Sequence, residues 1–136
     1  MKNITSTSKY LGNLRIASTH VKSGTVIETD APVDNNGKGT RFSPTDMVAN
    51  AYMNCMITII GIYCDQHGIN FQHCEGEVEK IMESNPRRIG ALNISLNLSG
   101  NGWSADEIKR IEAAGRACPV AKSVSPEMKV NIEFKY

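Results

Sequence analysis

Residues 43–68 constrain this chain more than any other segment, because they read as one long helix with apolar residues on every side. Ser43 suits the N-cap, Pro44 the first helical position, and Asp46 completes a pattern like a capping box. The apolar content runs on to about Tyr63, and Gly68 is a natural stop. At about 100° per residue, Val48, Ala51, Tyr52, Cys55, Ile59 and Ile62 share one face. Met53, Met56, Ile57 and Ile60 occupy much of the rest. A helix with so little polar surface is expected to be buried. Its longest apolar stretch, around Met56 to Tyr63, falls well short of the ~20 residues that cross a bilayer. The burial is therefore expected within protein.

The flanking segments supply strands for it to pack on. Residues 8–31 read as two strands, the clearer being Thr25-Val26-Ile27-Glu28-Thr29, with Ser23-Gly24 as a turn. Asp34 to Gly39 is a loop by composition. Residues 71–82 and 88–98 read as strands joined at Asn85-Pro86-Arg87-Arg88. Leu92, Ile94, Leu96 and Leu98 alternate with Asn93, Ser95 and Asn97, the period of a half-buried strand. Ser104 and Glu107 form a second capping box. It opens a helix with Ile108, Ile111, Gly115 and Cys118 along one side, broken by Pro119. Val130, Ile132, Phe134 and Tyr136 then mark a closing strand. The order ββ-α-ββ-α-β predicts an α+β fold with mainly antiparallel sheet. At 136 residues the chain is expected to form a single domain, 1–136.

A formal net charge of +1 provides no broad basic field, so neither nucleic acid nor an anionic membrane is expected as a partner. The N-terminus carries no apolar run of a secretory signal, which points to the cytoplasm, where thiols stay reduced. Four cysteines in that setting suggest thiol chemistry or core packing before a disulfide scaffold. Cys55 lies mid-stripe on the long helix, and Cys118 ends the apolar side of the second. Pro119 suits the first position of a new helical turn, placing Cys118 at its N-cap, where backbone N–H groups favour thiolate. Two cysteines on apolar faces are equally what a core uses, since free cysteine is among the most buried residues. Cys64, His67, His73 and Cys74 have the ligand types for zinc. Their spacing matches no common zinc pattern, and neighbours in a strand point to opposite faces, so no metal site is expected.

Phe42-Ser43-Pro44-Thr45-Asp46-Met47 through Asn54-Cys55-Met56 resembles the SPTDLL…SCM signature of OsmC-like proteins. Asn85-Pro86-Arg87-Arg88-Ile89 and Ala117-Cys118-Pro119-Val120, with Pro126-Glu127 beyond, resemble two further signatures of that family in the same order. The likeness covers the chain from about residue 8 onward. It implies an OsmC-like fold, with antiparallel sheets around a buried helix in an intertwined homodimer. It also implies a thiol-dependent peroxidase acting on organic hydroperoxides, with no bound cofactor, reset by an external dithiol such as a lipoyl group. By motif, Cys55 is the peroxidatic cysteine and Cys118 the resolving one. Met47, Val48, Ala51 and Ile59 would line the site for an alkyl group.

The family holds its thiolate with an arginine that a glutamate orients. Arg41, in the loop before the helix, is the first candidate here and Arg15 the second. The glutamate's position holds Thr45; the neighbouring Asp46 points away from the Cys55 face and is accounted for as a helix cap. That departure keeps a second reading open: a non-catalytic protein of the same fold that binds a small apolar molecule or senses oxidant stoichiometrically.

Overall fold

A computed structural model describes residues 2–136. The chain forms β1 (Ser6–Gly12), β2 (Arg15–His20), β3 (Val26–Asp30), a 3-10 turn (Val33–Asn35), α1 (Pro44–His67), β4 (Glu75–Glu83), β5 (Arg88–Asn97), α2 (Ala105–Arg116) and β6 (Lys129–Lys135). These fall into two units, Met1–Met47 and Val48–Tyr136.

The first unit is an antiparallel sheet in the order β1-β2-β3. It holds three strands where the sequence predicts two. The extra hairpin turns at Gly12, Asn13 and Leu14, with φ of 90°, 55° and 64°. Glycine and asparagine adopt that left-handed region readily, but leucine rarely does, so Leu14 reads in the sequence as strand. None of the unit's described apolar side chains belongs to the hydrophobic core cluster. Its buried residues are polar (Thr29, Asp30 and Ser43), while Tyr10, Leu11, Leu14, Val26, Ile27 and Phe42 are exposed.

The second unit carries the core. Its sheet runs β4-β5-β6, antiparallel between β4 and β5 and parallel between β5 and β6. A parallel pair needs a crossover, and α2 supplies it. Leu92, Ile94, Leu96 and Leu98 are buried in one cluster with Ala49, Tyr52, Met56, Ile60 and Cys64 from α1 and Ile111 from α2. Gly115 permits the two helices to close: a Cβ there would lie 3.1 Å from Ile60 Cδ1. Residues 71–74, predicted as strand, form a loop instead. The buried Asn101 holds them, its Oδ1 accepting from the Gln72 and His73 N–H groups and its Nδ2 donating to the carbonyls of His73 and Leu98.

The long helix starts as the sequence predicts. Ser43 Oγ accepts from the Asp46 N–H, and Asp46 Oδ2 accepts from the Ser43 N–H, both at 3.0 Å. Its buried stripe differs from expectation. Ala49, Tyr52, Met56, Ile60 and Cys64 are buried, whereas Val48, Ala51 and Ile62 are exposed and Cys55 and Ile59 half-buried. When apolar residues surround a helix, periodicity does not select the face that packs. The helix also runs longer than its unbroken apolar stretch. Over 24 residues it is long and apolar enough by length and composition to cross a membrane, and 33% of its most apolar window is buried in the protein.

Candidate active site

Cys55 and Cys118 meet in the second unit, both as free thiols. Cys55 sits in the middle of α1, half-buried; Cys118 is fully buried just beyond the C-terminus of α2. Pro119 opens a turn in which the Lys122 N–H donates to the Cys118 carbonyl. The turn aims the backbone N–H groups of Ala121 and Val120 at the Cys118 sulfur, as the N-cap reading predicts. The expected balance is reversed, however. Burial pushes the Cys118 thiol up, outweighing the help of those N–H groups, and the hydrogen bond it makes to Cys55 adds to the upward shift.

Tyr52 stands one helical turn before Cys55 on α1 and is 5% exposed. Burial raises its phenol above the ordinary value; Cys118 adds to this, Arg116 opposes it, and Cys55 adds a smaller upward contribution. Arg116 itself lies over the Phe134 ring, 5.2 Å from the centroid.

The candidate cations belong to the first unit. Arg41 donates from Nε to Glu28 at 3.1 Å and is 46% exposed, an ordinary surface pair. Arg15 is held differently. Its Nε and Nη2 grip the two oxygens of Asp30 at 2.7 and 2.8 Å, and Nη2 also donates to Thr40 Oγ1. Thr40 in turn donates to Asp30 Oδ2 from both its N–H and its hydroxyl. Asp30 is 1% exposed, and the Arg15 guanidinium holds its carboxyl well below the usual carboxylate range. Among the described residues, Nη1 of Arg15 donates no hydrogen bond. Sequence reasoning missed Asp30 and Thr40, because an acid ending a strand and a threonine in a loop carry no spacing that marks them as partners.

The other cysteine and histidine residues do not converge. Cys64 lies in the core, His67 stacks on Tyr63, and the His73 N–H is taken by Asn101. Burial pushes the thiols of both Cys64 and Cys74 up. Among the described residues, no group of three or more His, Cys, Asp or Glu side chains is arranged to hold a metal ion.

Two facing thiols, one half-exposed and one buried, joined to an α+β scaffold define a dithiol protein of the OsmC fold. Its likeness to known proteins agrees. A family model for OsmC-like protein matches residues 37–133, and the chain belongs to that family. A crystal structure from Psychrobacter arcticus 273-4, named for osmotic stress induction and detoxification response, is 36% identical with a TM-score of 0.93, covering 98% of this chain and 97% of that one. The organic hydroperoxide resistance protein OsmC of Legionella pneumophila is 16% identical with a TM-score of 0.73, covering 100% of both chains. OhrB of Bacillus subtilis, an organic hydroperoxide resistance protein, is 18% identical with a TM-score of 0.65, covering 96% of each. No match is found among curated proteins. The family is thus one related to organic hydroperoxide resistance proteins.

Proposed function

We propose that this protein is a cysteine peroxidase that reduces organic hydroperoxides through Cys55 and Cys118. The observation that carries this reading is the pairing of a half-exposed thiol with a buried one hydrogen-bonded to it. The Cys55 thiolate attacks one peroxide oxygen; the S–O bond forms as the O–O bond breaks, and the alkoxide leaves and is protonated to the alcohol. Cys55 is then a sulfenic acid. The Cys118 sulfur attacks the Cys55 sulfur, an S–S bond replaces the S–O bond, and the departing hydroxide takes the Cys118 proton to leave as water. A dithiol of the lipoyl class reduces the disulfide and is itself oxidised to one.

A thiolate at Cys55 needs a positive partner. The family resemblance gives that role to an arginine, for which Arg41 and Arg15 are the candidates; within the first unit Asp30 and Thr40 fix the Arg15 guanidinium plane, whereas Arg41 makes an exposed pair with Glu28. We further propose that the protein works as a homodimer in the cytoplasm. A three-stranded sheet with no apolar side chain in the core, and an α1 face with Val48, Ala51 and Ile62 exposed, both call for cover by a second copy.

The second reading, a stoichiometric sensor or apolar-ligand binder, draws on the raised Cys118 thiol and on Thr45 in place of an acid. Steady-state consumption of cumene hydroperoxide with dihydrolipoamide or dithiothreitol separates the two. Many turnovers per site are expected; one equivalent and no more would favour the sensor.

A further inference from the structure

Two peptide units face the Cys118 sulfur, one joining Pro119 to Val120 and the next joining Val120 to Ala121, and the N–H of each donates to it. Both units are trans; among the described residues the cis bond is Asn85–Pro86. A trans peptide is flat, with its C=O and N–H pointing in opposite directions, so fixing the carbonyl aims the N–H. One residue holds both carbonyls. Ser123 donates its N–H to the Val120 carbonyl at 3.0 Å and its hydroxyl to the Pro119 carbonyl at 2.8 Å. In a regular helical turn the Ser123 N–H would reach four residues back, to Pro119. Here the turn is tighter, and the hydroxyl makes the bond that the backbone has given up. Ser123 is exposed, while Val120, Ala121 and Val124 pack against the core from the other side of the turn.

We infer that Ser123 is a positioning residue for Cys118: by holding both carbonyls it aims the Val120 and Ala121 N–H groups at the sulfur, where they support its charge as the thiol sheds its proton. The inference rests on the peroxidase reading above and assigns a residue to its second step. In that step the Cys118 sulfur attacks the Cys55 sulfenic acid, and its proton passes to the departing oxygen. Cys118 is fully buried, so water does not carry the charge that develops on the sulfur. N–H dipoles already in place carry it without reorganising. A hydroxyl that donates to a carbonyl also polarises that peptide and strengthens the N–H at its far end.

Ser123→Ala removes the hold on the Pro119 carbonyl and keeps the one on Val120; Ser123→Thr keeps both. The Cys118 thiol is titrated by NMR on isotope-labelled cysteine Cβ, in a Cys55→Ser background that needs no peroxide. Ser123→Ala should move the midpoint up by about half a pH unit, the scale of weakening one of two hydrogen bonds, and Ser123→Thr should restore it. In stopped-flow oxidation with one equivalent of cumene hydroperoxide, Ser123→Ala should leave the first step at the wild-type rate. Disulfide formation should slow about twofold near neutral pH, because the scarcer thiolate is also the more basic nucleophile. The gap should close as pH rises through the titration. A midpoint that stays at its wild-type position overturns the inference, and a lower melting temperature beside it makes the bond a purely structural one. Ser123→Thr behaving like Ser123→Ala overturns it as well, as does equal slowing of both steps. A wild-type protein that forms no sulfenic acid overturns the peroxidase reading instead, and the titration then decides the role of Ser123 by itself.

Discussion

Cys55 and Cys118 differ in exposure, and under the proposed mechanism that difference divides their labour. Cys55→Ser should abolish hydroperoxide reduction, because a hydroxyl is a far poorer nucleophile than a thiolate. Cys118→Ser should allow one turnover and leave a sulfenic acid that over-oxidises, a change mass spectrometry reads directly. Cys64→Ser and Cys74→Ser should keep activity within a few-fold, since neither thiol faces the pair. Arg41→Met and Arg15→Met, each assayed with hydroperoxide, identify the arginine that serves the thiolate: its loss should lower the rate roughly tenfold or more, the scale of a lost charge-assisted contact, while the other variant stays within about twofold. The cysteines were legible in the sequence because short motifs mark them. The Arg15–Asp30–Thr40 cluster was not, since its members come from two strands and a loop that only folding brings together. Asp30 also sets a pH dependence. Its folded value lies below the ordinary one, so its contribution to stability is present above the carboxylate range and lost as pH falls through it. Thermal melts from about pH 6 down to about pH 2 should therefore fall less steeply for Asp30→Asn than for wild type.

Among the elements, the two helix starts were legible because a cap is a local contract between residues three apart. Ser104 Oγ accepts from the Glu107 N–H and Glu107 Oε1 from the Ser104 N–H, at 3.1 and 2.8 Å. Ser104→Ala should cost about 1 kcal/mol and leave the thiol chemistry untouched. The packed face of α1 was not legible, because its apolar surround gives no direction, and the sheet decides instead. Residues 71–74 misread as strand for a related reason. Their backbone groups are satisfied by Asn101, a side chain distant in sequence, so the local pattern is silent about it. Asn101→Ala would strand several buried donors and acceptors at once. Chemical denaturation should show a loss of about 2 kcal/mol or more, larger than the helix-cap variant.

For the whole molecule, the expected α+β architecture and the OsmC fold hold, with the parallel β5–β6 pair as the departure from antiparallel pairing. The distribution of apolar groups matters more. Among the described residues, all those of the hydrophobic core lie in the second unit, and the first exposes Tyr10, Leu14, Val26 and Ile27. Sedimentation should give a dimer at micromolar concentration, with an interface of obligate size, commonly 2,000 Å² or more. A well-folded monomer would overturn the proposed assembly. Substituting Ile27→Lys on that sheet should weaken the dimer and lower thermal stability together, in a concentration-dependent way.

If the proposed peroxidase cycle runs through this pair, the full burial of Cys118 also sets its traffic. An incoming dithiol can reach the oxidised pair only from the Cys55 side, which is also the side open to peroxide. Both reactants then share one doorway, and the alcohol must leave before the reductant enters. Such a cycle runs as a double displacement, with parallel reciprocal plots and a transient mixed disulfide on Cys55 alone. High peroxide would crowd out its own reductant, so the protein would clear small doses thoroughly and be silenced by large ones.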